Sequence, residues 1–186
     1  MHTKQNRLDE LARKIEDCID CKQDTVGKLV FGEGNPDAEI MFVGEAPGKK
    51  EAVSGRPFIG RSGKILRSKI RSIGLEEQNV YITSPVKYLP KRGTPSKKLI
   101  DHSRRMFMEQ VGIINPRIIV LLGKTAITAV LEKDISVLKE HGTVIEKDNR
   151  KFLITLHPAA VLRFPNKYND LFTEDFRKLA FLARTA

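Results

Sequence analysis

The sequence has little of what marks a secreted or membrane-spanning protein. Among its 186 residues are two cysteines and no tryptophan. No stretch reaches the roughly 20 apolar residues that a membrane-spanning helix needs, and the polar N-terminus lacks the apolar segment of a secretory signal. The cysteines, Cys18 and Cys21, are spaced C-x-x-C, which in an intracellular chain indicates a metal or redox pair before a structural disulfide. We therefore expect a cytoplasmic protein that does not associate with a membrane.

Aromatic residues are also scarce, at 6%, which argues against an extended stacking surface for single-stranded nucleic acid. Positive charge is abundant instead, and the formal net charge is +10. The segment Lys49–Arg71 holds eight basic residues and one acidic residue, and Lys87–Arg105 holds seven and one. Two solvated helix faces would explain this pattern, but such clustering also indicates a surface that binds the phosphates of a polyanion.

Short apolar runs alternate with amphipathic segments, a pattern typical of an α/β fold with a mostly parallel sheet covered on both faces. The predicted strands are 39–43, 80–83, 117–122 and 151–156, with a short edge strand at 143–145. The predicted helices are 4–17, 62–73, 96–114, 124–131 and 169–182. We expect one domain over residues 1–186, in which the N-terminal helix and loop (1–37) pack on the remainder.

Ligands of open parallel sheets bind beyond the carboxyl ends of the strands, so the residues that follow each strand are the first candidates. Those residues include Glu45, Ser84 and His157. A carboxylate and an imidazole at one edge suit acid–base or electrostatic catalysis, although a solvated glutamate and a structural histidine are the alternatives. Three further histidines have no such setting and are interpreted as structural or solvated: His2, His102 and His141.

Phe58 lies between glycines inside the first basic segment. One interpretation is an apolar contact with the core, and the other is a ring held on a loop to stack on a planar base. The spacing alone favours neither.

Four segments occur in a fixed order along the chain: Val30–Gly48, Ser54–Leu66, Asn79–Thr83 and His157–Arg163. Together they resemble the family 4 uracil-DNA glycosylases, and the resemblance extends from about Cys18 to the C-terminal helix. It implies a three-layer α/β/α domain with a central, mostly parallel four-stranded sheet. It also implies a DNA repair enzyme that flips uracil out of DNA and hydrolyses its N-glycosidic bond to leave an abasic site.

The resemblance implies roles for individual residues. Glu45 matches the acid that positions the hydrolytic water, and His157 matches the histidine that bonds uracil O2 and stabilises the departing anion. Phe58 matches the ring that stacks on uracil. Three small residues match the backbone of the pocket: Gly44, Ala46 and Gly48.

The same resemblance implies contacts with DNA. The stretch 160–163 matches the loop that enters the minor groove when the nucleotide is extruded, with Leu162 as the wedge and Arg163 as a phosphate or groove contact. Arg61 and Lys87, one from each basic segment, are the other expected DNA contacts. No lysine is placed so as to demand a Schiff base, so we expect a monofunctional enzyme that binds uracil-containing DNA as a monomer.

Ser84 is a departure from the family pattern, because it stands where the family has the asparagine that reads the base. A hydroxyl is shorter than an amide and has a single proton. Uracil remains the first expectation. The alternatives are excision of another deaminated base, such as hypoxanthine or xanthine, and binding of damaged DNA without catalysis.

A second departure concerns the family's [4Fe–4S] cluster, which needs four cysteine thiolates. Cys18 and Cys21 match the first pair, while Tyr88 and Ser103 stand at the other two positions. We predict that the cluster is lost, that no residue serves as a metal ligand and that no cofactor is needed. The retained pair is then a labile zinc pair, a disulfide or, as the favoured interpretation, a relic.

Overall fold

The structure is a computed structural model that describes residues 3–185. Within that range the strands are, in chain order, Thr25–Val26 (β1), Glu33–Gly34 (β2), Ile40–Val43 (β3), Val80–Thr83 (β4), Leu89–Pro90 (β5), Ile118–Leu122 (β6), Val144–Lys147 (β7) and Arg150–Thr155 (β8). The helices are Lys4–Asp17 (α1), Ile19–Lys22 (α2), Lys49–Ser54 (α3), Arg61–Ser72 (α4), Lys97–Ile114 (α5), Lys124–Leu131 (α6), Val137–Glu140 (α7), Pro158–Arg163 (α8) and Pro165–Thr185 (α9).

Six of these strands form the central sheet, in the order β2–β4–β3–β6–β8–β7. The four inner strands run parallel, and β2 and β7 pair antiparallel at the two edges. The predicted four strands form its parallel centre, and β7 lies at the edge where the short strand at 143–145 was predicted. Strand β2 escapes prediction because it has only two residues and carries a charged side chain at Glu33.

Alternate residues of the inner strands pack on opposite faces of the sheet. On one face, Met41 and Val43 belong to the same apolar cluster as side chains of α1, α5 and α6. On the other, Ile40 and Phe42 pack with side chains of α4, α8 and α9. Burial of both faces accounts for the near-continuous apolar strands and confirms the three-layer α/β/α architecture.

The helix boundaries follow local sequence signals. Helices α1 and α6 have the predicted bounds, and Ser96 caps α5 by accepting a hydrogen bond from the Leu99 N–H at 3.2 Å. The predicted loop over 160–163 is wrong, because these residues form most of α8, which starts with Pro158 after the cap residue His157. Helix α9 begins at Pro165 rather than at residue 169. A helix with the length and apolar character to cross a bilayer is absent from residues 3–185.

Candidate active site

A cavity of about 140 Å³ opens beyond the carboxyl ends of β3, β4 and β8. Five of the residues predicted for the site line it: Ala46, Gly48, Phe58, Ser84 and His157. Val30, Pro47, Glu51, Pro57 and Ser62 complete the wall. The parallel strands thus bring together side chains that lie far apart in the sequence.

His157 contributes a neutral hydrogen-bond donor to this cavity. It is the N-cap of α8, and its Nδ1 accepts a hydrogen bond from the backbone N–H of Ala159 at 3.1 Å. Because Nδ1 is the acceptor, the proton of the neutral ring lies on Nε2. Burial lowers the pKa of His157 to about 4, so the ring is uncharged at neutral pH.

The ring of Phe58 forms another wall of the cavity. Its centroid lies 6.0 Å from that of the His157 ring, with 33° between the two planes. The ring packs at the edge of an apolar core cluster, as one sequence interpretation has it, and it also lines the cavity; stacking on a base stays a prediction. It lies so close to Gly44 that a Cβ there would come within 2.5 Å of it. Gly44 therefore supplies the space for the ring rather than a wall of the cavity.

Two charged side chains that the sequence did not indicate fix the backbone around Phe58. This residue has a φ of 52°, a left-handed conformation that costs a non-glycine residue about 1–2 kcal/mol. The buried carboxylate of Glu51 accepts hydrogen bonds from the N–H groups of Ile59 at 3.0 Å and Gly60 at 2.8 Å. Arg67 donates to the Phe58 carbonyl at 3.0 Å and to the preceding carbonyl at 2.8 Å. Together the two side chains hold the loop that presents the ring.

Arg67 is itself held by two carboxylates. It donates to Glu33 at 2.5 Å and pairs with Glu77 on its other side. Burial alone would raise the pKa of both carboxyls, but hydrogen bonds and charges from neighbouring arginines outweigh it and leave both pKa values below the usual range. Part of the first basic segment therefore stabilises the protein itself and is not free for phosphates.

Glu45 lies at the rim of the cavity and is not among the residues that line it. It is partly exposed, and its Oε2 accepts a hydrogen bond from Thr125 Oγ1 at 2.7 Å. No hydrogen bond within residues 3–185 engages the other oxygen, Oε1. Thr125 lies in the first turn of α6, two residues after Gly123. A Cβ added at Gly123 would come within 3.0 Å of the His157 Cβ, so the start of α6 lies close to His157. No sequence signal singles out Thr125 as a partner of Glu45.

Ser84 is buried at the cavity wall with its proton already engaged. Its Oγ donates to the backbone carbonyl of Val86 at 2.8 Å. A hydroxyl has one proton and two lone pairs, so toward a ligand Ser84 acts as an acceptor. The residue is where the sequence placed it, but its hydrogen-bonding capacity is narrower than the sequence suggests.

The expectation that Lys87 contacts DNA is wrong. The side chain is buried, and its Nζ donates to the Phe31 carbonyl at 2.9 Å, to Thr83 Oγ1 at 2.7 Å and to Gln110 Oε1 at 2.6 Å. Burial lowers the pKa of Lys87 well below its usual value. The sequence misleads here because Lys87 lies in a basic segment, although the chain turns inward at that point.

The other predicted DNA contacts are exposed. Arg61 begins α4, and Leu162 and Arg163 end α8, the helix that His157 caps. Next to them lies Phe164, 48% exposed, which the sequence analysis did not select. An exposed leucine and an exposed phenylalanine thus stand beside the cavity.

Several basic side chains near the cavity are exposed and form no ion pair within the described range, residues 3–185: Lys49, Lys50, Arg61 and Lys64. They lie in α3 and at the start of α4, and these two helices flank the Phe58 loop. The free part of the first basic segment is therefore at the cavity entrance, where a polyanion would be held.

Cys18 and Cys21 lie together with a histidine rather than with further thiols. The Nε2 of His102 is 3.2 Å from Cys18 Sγ and 3.5 Å from Cys21 Sγ, so of the two interpretations, structural or solvated, these contacts exclude the solvated one. His141 instead bonds Asp175 at 3.1 Å, and His2 lies outside the described residues. A four-thiolate cluster does not fit these residues, because the whole sequence holds two cysteines.

The fold and the cavity define the class of protein: a three-layer α/β/α domain with a candidate ligand site at the carboxyl edge of a parallel sheet. A family model described as the uracil DNA glycosylase superfamily matches residues 31–180, and the chain belongs to this superfamily. It is 35% identical over 175 residues to a protein named Type-4 uracil-DNA glycosylase from Thermotoga maritima, covering 92% of this chain and 90% of the relative. A protein of the same name from Sulfurisphaera tokodaii is 39% identical, covering 96% and 87%. These similarities confirm the resemblance seen in the sequence.

Proposed function

We propose that this protein is a monofunctional uracil-DNA glycosylase that acts in DNA repair. The observation that carries the proposal is the pairing of a neutral imidazole donor, His157, with an aromatic ring, Phe58, in one cavity at the sheet edge. This arrangement suits a flat base that acquires negative charge as it leaves. Membership of the uracil DNA glycosylase superfamily agrees with it.

The exposed side chains around the cavity suit binding and extrusion of a nucleotide. The unpaired lysines and arginine of α3 and α4 hold phosphates by charge. Leu162, with Phe164 beside it, fills the space in the duplex that the flipped nucleotide leaves. Extrusion costs a few kcal/mol, which contacts to the backbone and stacking on Phe58 offset.

Inside the cavity, hydrogen bonds orient the base. Uracil N3 carries one N–H, and Ser84 can only accept, since its proton is engaged by the Val86 carbonyl. Stacking on Phe58 is worth about 1–3 kcal/mol. In this orientation the N3–H of uracil donates to the Ser84 hydroxyl oxygen, and a uracil carbonyl oxygen accepts from the His157 N–H.

The chemical step breaks the bond between N1 of the base and C1′ of the sugar, with the electron pair leaving on the base. Negative charge grows on the base oxygen beside His157, whose Nε2–H stabilises it without transferring its proton. One such preorganised donor is worth about 3–4 kcal/mol. Glu45, oriented by Thr125, holds a water molecule for attack on C1′ and places negative charge near the cationic sugar. The water oxygen bonds to C1′, its proton passes to Glu45 or solvent, and an abasic site remains.

A panel of labelled oligonucleotides tests this function. The substrates carry uracil paired with G, paired with A or in a single strand, or else hypoxanthine, xanthine or thymine, and alkali after incubation cleaves any abasic site. We expect cleavage of the uracil strands. A protein that binds these strands and leaves all of them intact would instead be a damaged-DNA-binding protein without catalysis.

Excision of a deaminated purine is the second candidate function. One observation favours it: Ser84 supplies only an acceptor, and hypoxanthine and xanthine present a ring N–H beside a carbonyl as uracil does. An amide would add a donor for uracil O4 that a hydroxyl engaged with Val86 does not provide. Cleavage of the purine strands faster than the uracil strands in the same panel would establish this alternative.

We further propose that the enzyme acts as an intracellular monomer without an iron–sulfur cluster. The DNA substrate supports the location, and the supply of only two cysteines supports the lack of a cluster. Iron and sulfide analysis of anaerobically purified protein tests the cluster, and light scattering tests the monomer. Near-stoichiometric iron and sulfide would contradict the first expectation.

A further inference from the structure

Three metal-ligating side chains converge at a point remote from the base cavity. Cys18 and Cys21 come from the turn into and through α2, and His102 comes from the first half of α5. The two sulfur atoms and the His102 Nε2 all lie within 4.8 Å of one another. Both cysteines are free.

The two sulfur–nitrogen separations are close to the corresponding edges of a zinc tetrahedron. Zinc binds thiolate sulfur at about 2.3 Å and imidazole nitrogen at about 2.0 Å, which in tetrahedral geometry places sulfur and nitrogen about 3.5 Å apart. The observed separations from His102 Nε2 are 3.2 Å to Cys18 Sγ and 3.5 Å to Cys21 Sγ. Thiol–imidazole hydrogen bonding explains only one of them, because Nε2 has either one proton or one lone pair.

The surroundings orient one of the two sulfur atoms and give a metal ion access. The backbone N–H of Cys21 donates to Cys18 Sγ at 3.2 Å, a bond that orients and stabilises a ligating sulfur. Cys21 is buried, whereas Cys18 and His102 are partly exposed. His102 also borders an open cavity of about 340 Å³, which Asp20 and Arg92 help to line. This cavity gives a metal ion an entry path and leaves room for water at a fourth coordination position.

We propose that Cys18, Cys21 and His102 bind one zinc ion, with water completing a tetrahedral site. The donor set of two thiolates and one imidazole is one that zinc accepts, and it does not meet the four-thiolate need of a cubane cluster. The site replaces a family cluster by a mononuclear metal with one new ligand from the chain. Its role is structural, since it links the α1–α2 segment to α5 and lies outside the base cavity.

The test is the metal content of the purified full-length protein and of single variants. Protein is loaded with zinc, passed through a desalting column and analysed for zinc, iron and sulfide, and the apoprotein is titrated with Co²⁺ while its absorption spectrum is recorded. We expect about one zinc per chain and the intense visible bands of tetrahedral cobalt with sulfur-to-cobalt charge transfer. Cys18→Ser and His102→Ala should each lose most of the bound zinc and the tetrahedral spectrum.

A matched control is Asp101→Ala, which removes an exposed carboxylate next to His102 on the same helix and leaves all three donors in place. This variant should keep its zinc. Chelation should lower the melting temperature of the parent protein and of Asp101→Ala but not that of His102→Ala, because a metal that binds only the native state stabilises it. This readout is independent of excision activity.

Four results would overturn the proposal. They are full zinc binding by His102→Ala, iron and sulfide in near-stoichiometric amounts, a Cys18–Cys21 disulfide in protein purified under reducing conditions, and two thiols that titrate freely in the presence of zinc. None of them bears on excision by the base cavity, so failure of this proposal and failure of the proposed glycosylase function are distinguishable.

Discussion

His157, the N-cap residue of α8, has an uncharged ring whose one N–H lies on a defined nitrogen. Its Nδ1 is occupied by the Ala159 N–H, and burial lowers its pKa to about 4. In the proposed mechanism, a leaving base therefore meets a neutral donor. A charged imidazolium would have to break the hydrogen bond to Ala159, because both of its nitrogens carry protons. Burial thus keeps the ring neutral, and the cap fixes which nitrogen carries the proton.

This charge state predicts the pH dependence of excision. The ordinary pKa of a histidine is 6.5, and that of His157 is about 4. We expect the single-turnover excision rate to stay level as the pH falls through 6.5 and to decline only as it approaches about 4. A pH–rate profile on a labelled uracil strand checks this. A decline with its midpoint near 6.5 would contradict the assignment of a neutral, partly buried ring.

Stability should follow the same proton. The pKa of His157 is lower in the folded than in the unfolded chain, so the unfolded chain takes up the extra proton between pH 6.5 and about 4. The free energy of unfolding should therefore fall as the pH falls through this window, by up to about 3 kcal/mol. Chemical denaturation across this pH range measures the free energy of unfolding of the parent protein and of His157→Asn. The part of the fall that His157 causes should be absent from the variant.

At the scale of the element, side chains of neighbouring helices hold the backbone of the loop between α3 and α4, which carries the Phe58 ring. Glu51 bonds the N–H groups after Phe58, and Arg67 bonds its carbonyl. Gly63 permits the tight turn, because a Cβ there would lie 2.0 Å from the Phe58 carbonyl oxygen. The left-handed conformation of Phe58 is therefore maintained by its neighbours, which hold the ring in place at the cavity.

Loss of the Arg67 hydrogen bonds to the Phe58 loop should slow excision more than it weakens DNA binding. In Arg67→Ala, the carbonyls of Phe58 and of the residue before it lose their donors. We expect the excision rate at saturating enzyme to fall about tenfold, equivalent to about 1.4 kcal/mol, with affinity for an abasic-site product largely kept. Arg71→Ala is the matched control, because Arg71 lies in the same helix and, among residues 3–185, pairs with Glu77 alone. Equal losses in the two variants would show that the effect is a general one on stability.

For the molecule as a whole, the sequence accounts for the sheet better than for the site. The apolar runs of β3 and β6 and the capped helix α5 are visible because burial of both sheet faces and a serine cap leave local patterns. Contacts between distant segments leave none. Thr125 with Glu45, Arg67 with the Phe58 carbonyl and His102 with the two cysteines all join residues whose proximity only the fold creates.

The positive charges, too, are visible in the sequence, whereas the contacts that each of them makes are created by the fold. The two basic segments were visible in the sequence, but the structure divides them into exposed side chains, ion-paired arginines and one buried lysine. Lys87 is buried in the protein, and Arg67 forms ion pairs with the carboxylates of Glu33 and Glu77. Composition therefore predicts the partner class, while the folded chain decides which charges reach it.

This division predicts which side chains govern the salt dependence of DNA binding. Arg61 is exposed at the cavity entrance, whereas Lys147 is exposed at the opposite end of the sheet, where β7 turns into β8. Arg61→Ala should reduce the slope of log affinity against log salt by about one, since it removes about one phosphate contact. Lys147→Ala should leave the slope unchanged. Fluorescence anisotropy over a range of salt concentrations measures both, and equal slopes in the two variants would place the DNA elsewhere.

The most direct measurement is single-turnover excision of uracil by Glu45→Ala and His157→Ala, compared with the parent protein and with Glu146→Ala, an exposed glutamate on the edge strand β7. The account predicts that each site variant loses at least about tenfold in rate while binding uracil-containing DNA as the parent does, and that Glu146→Ala keeps the parental rate. Near-parental rates in both site variants would contradict it.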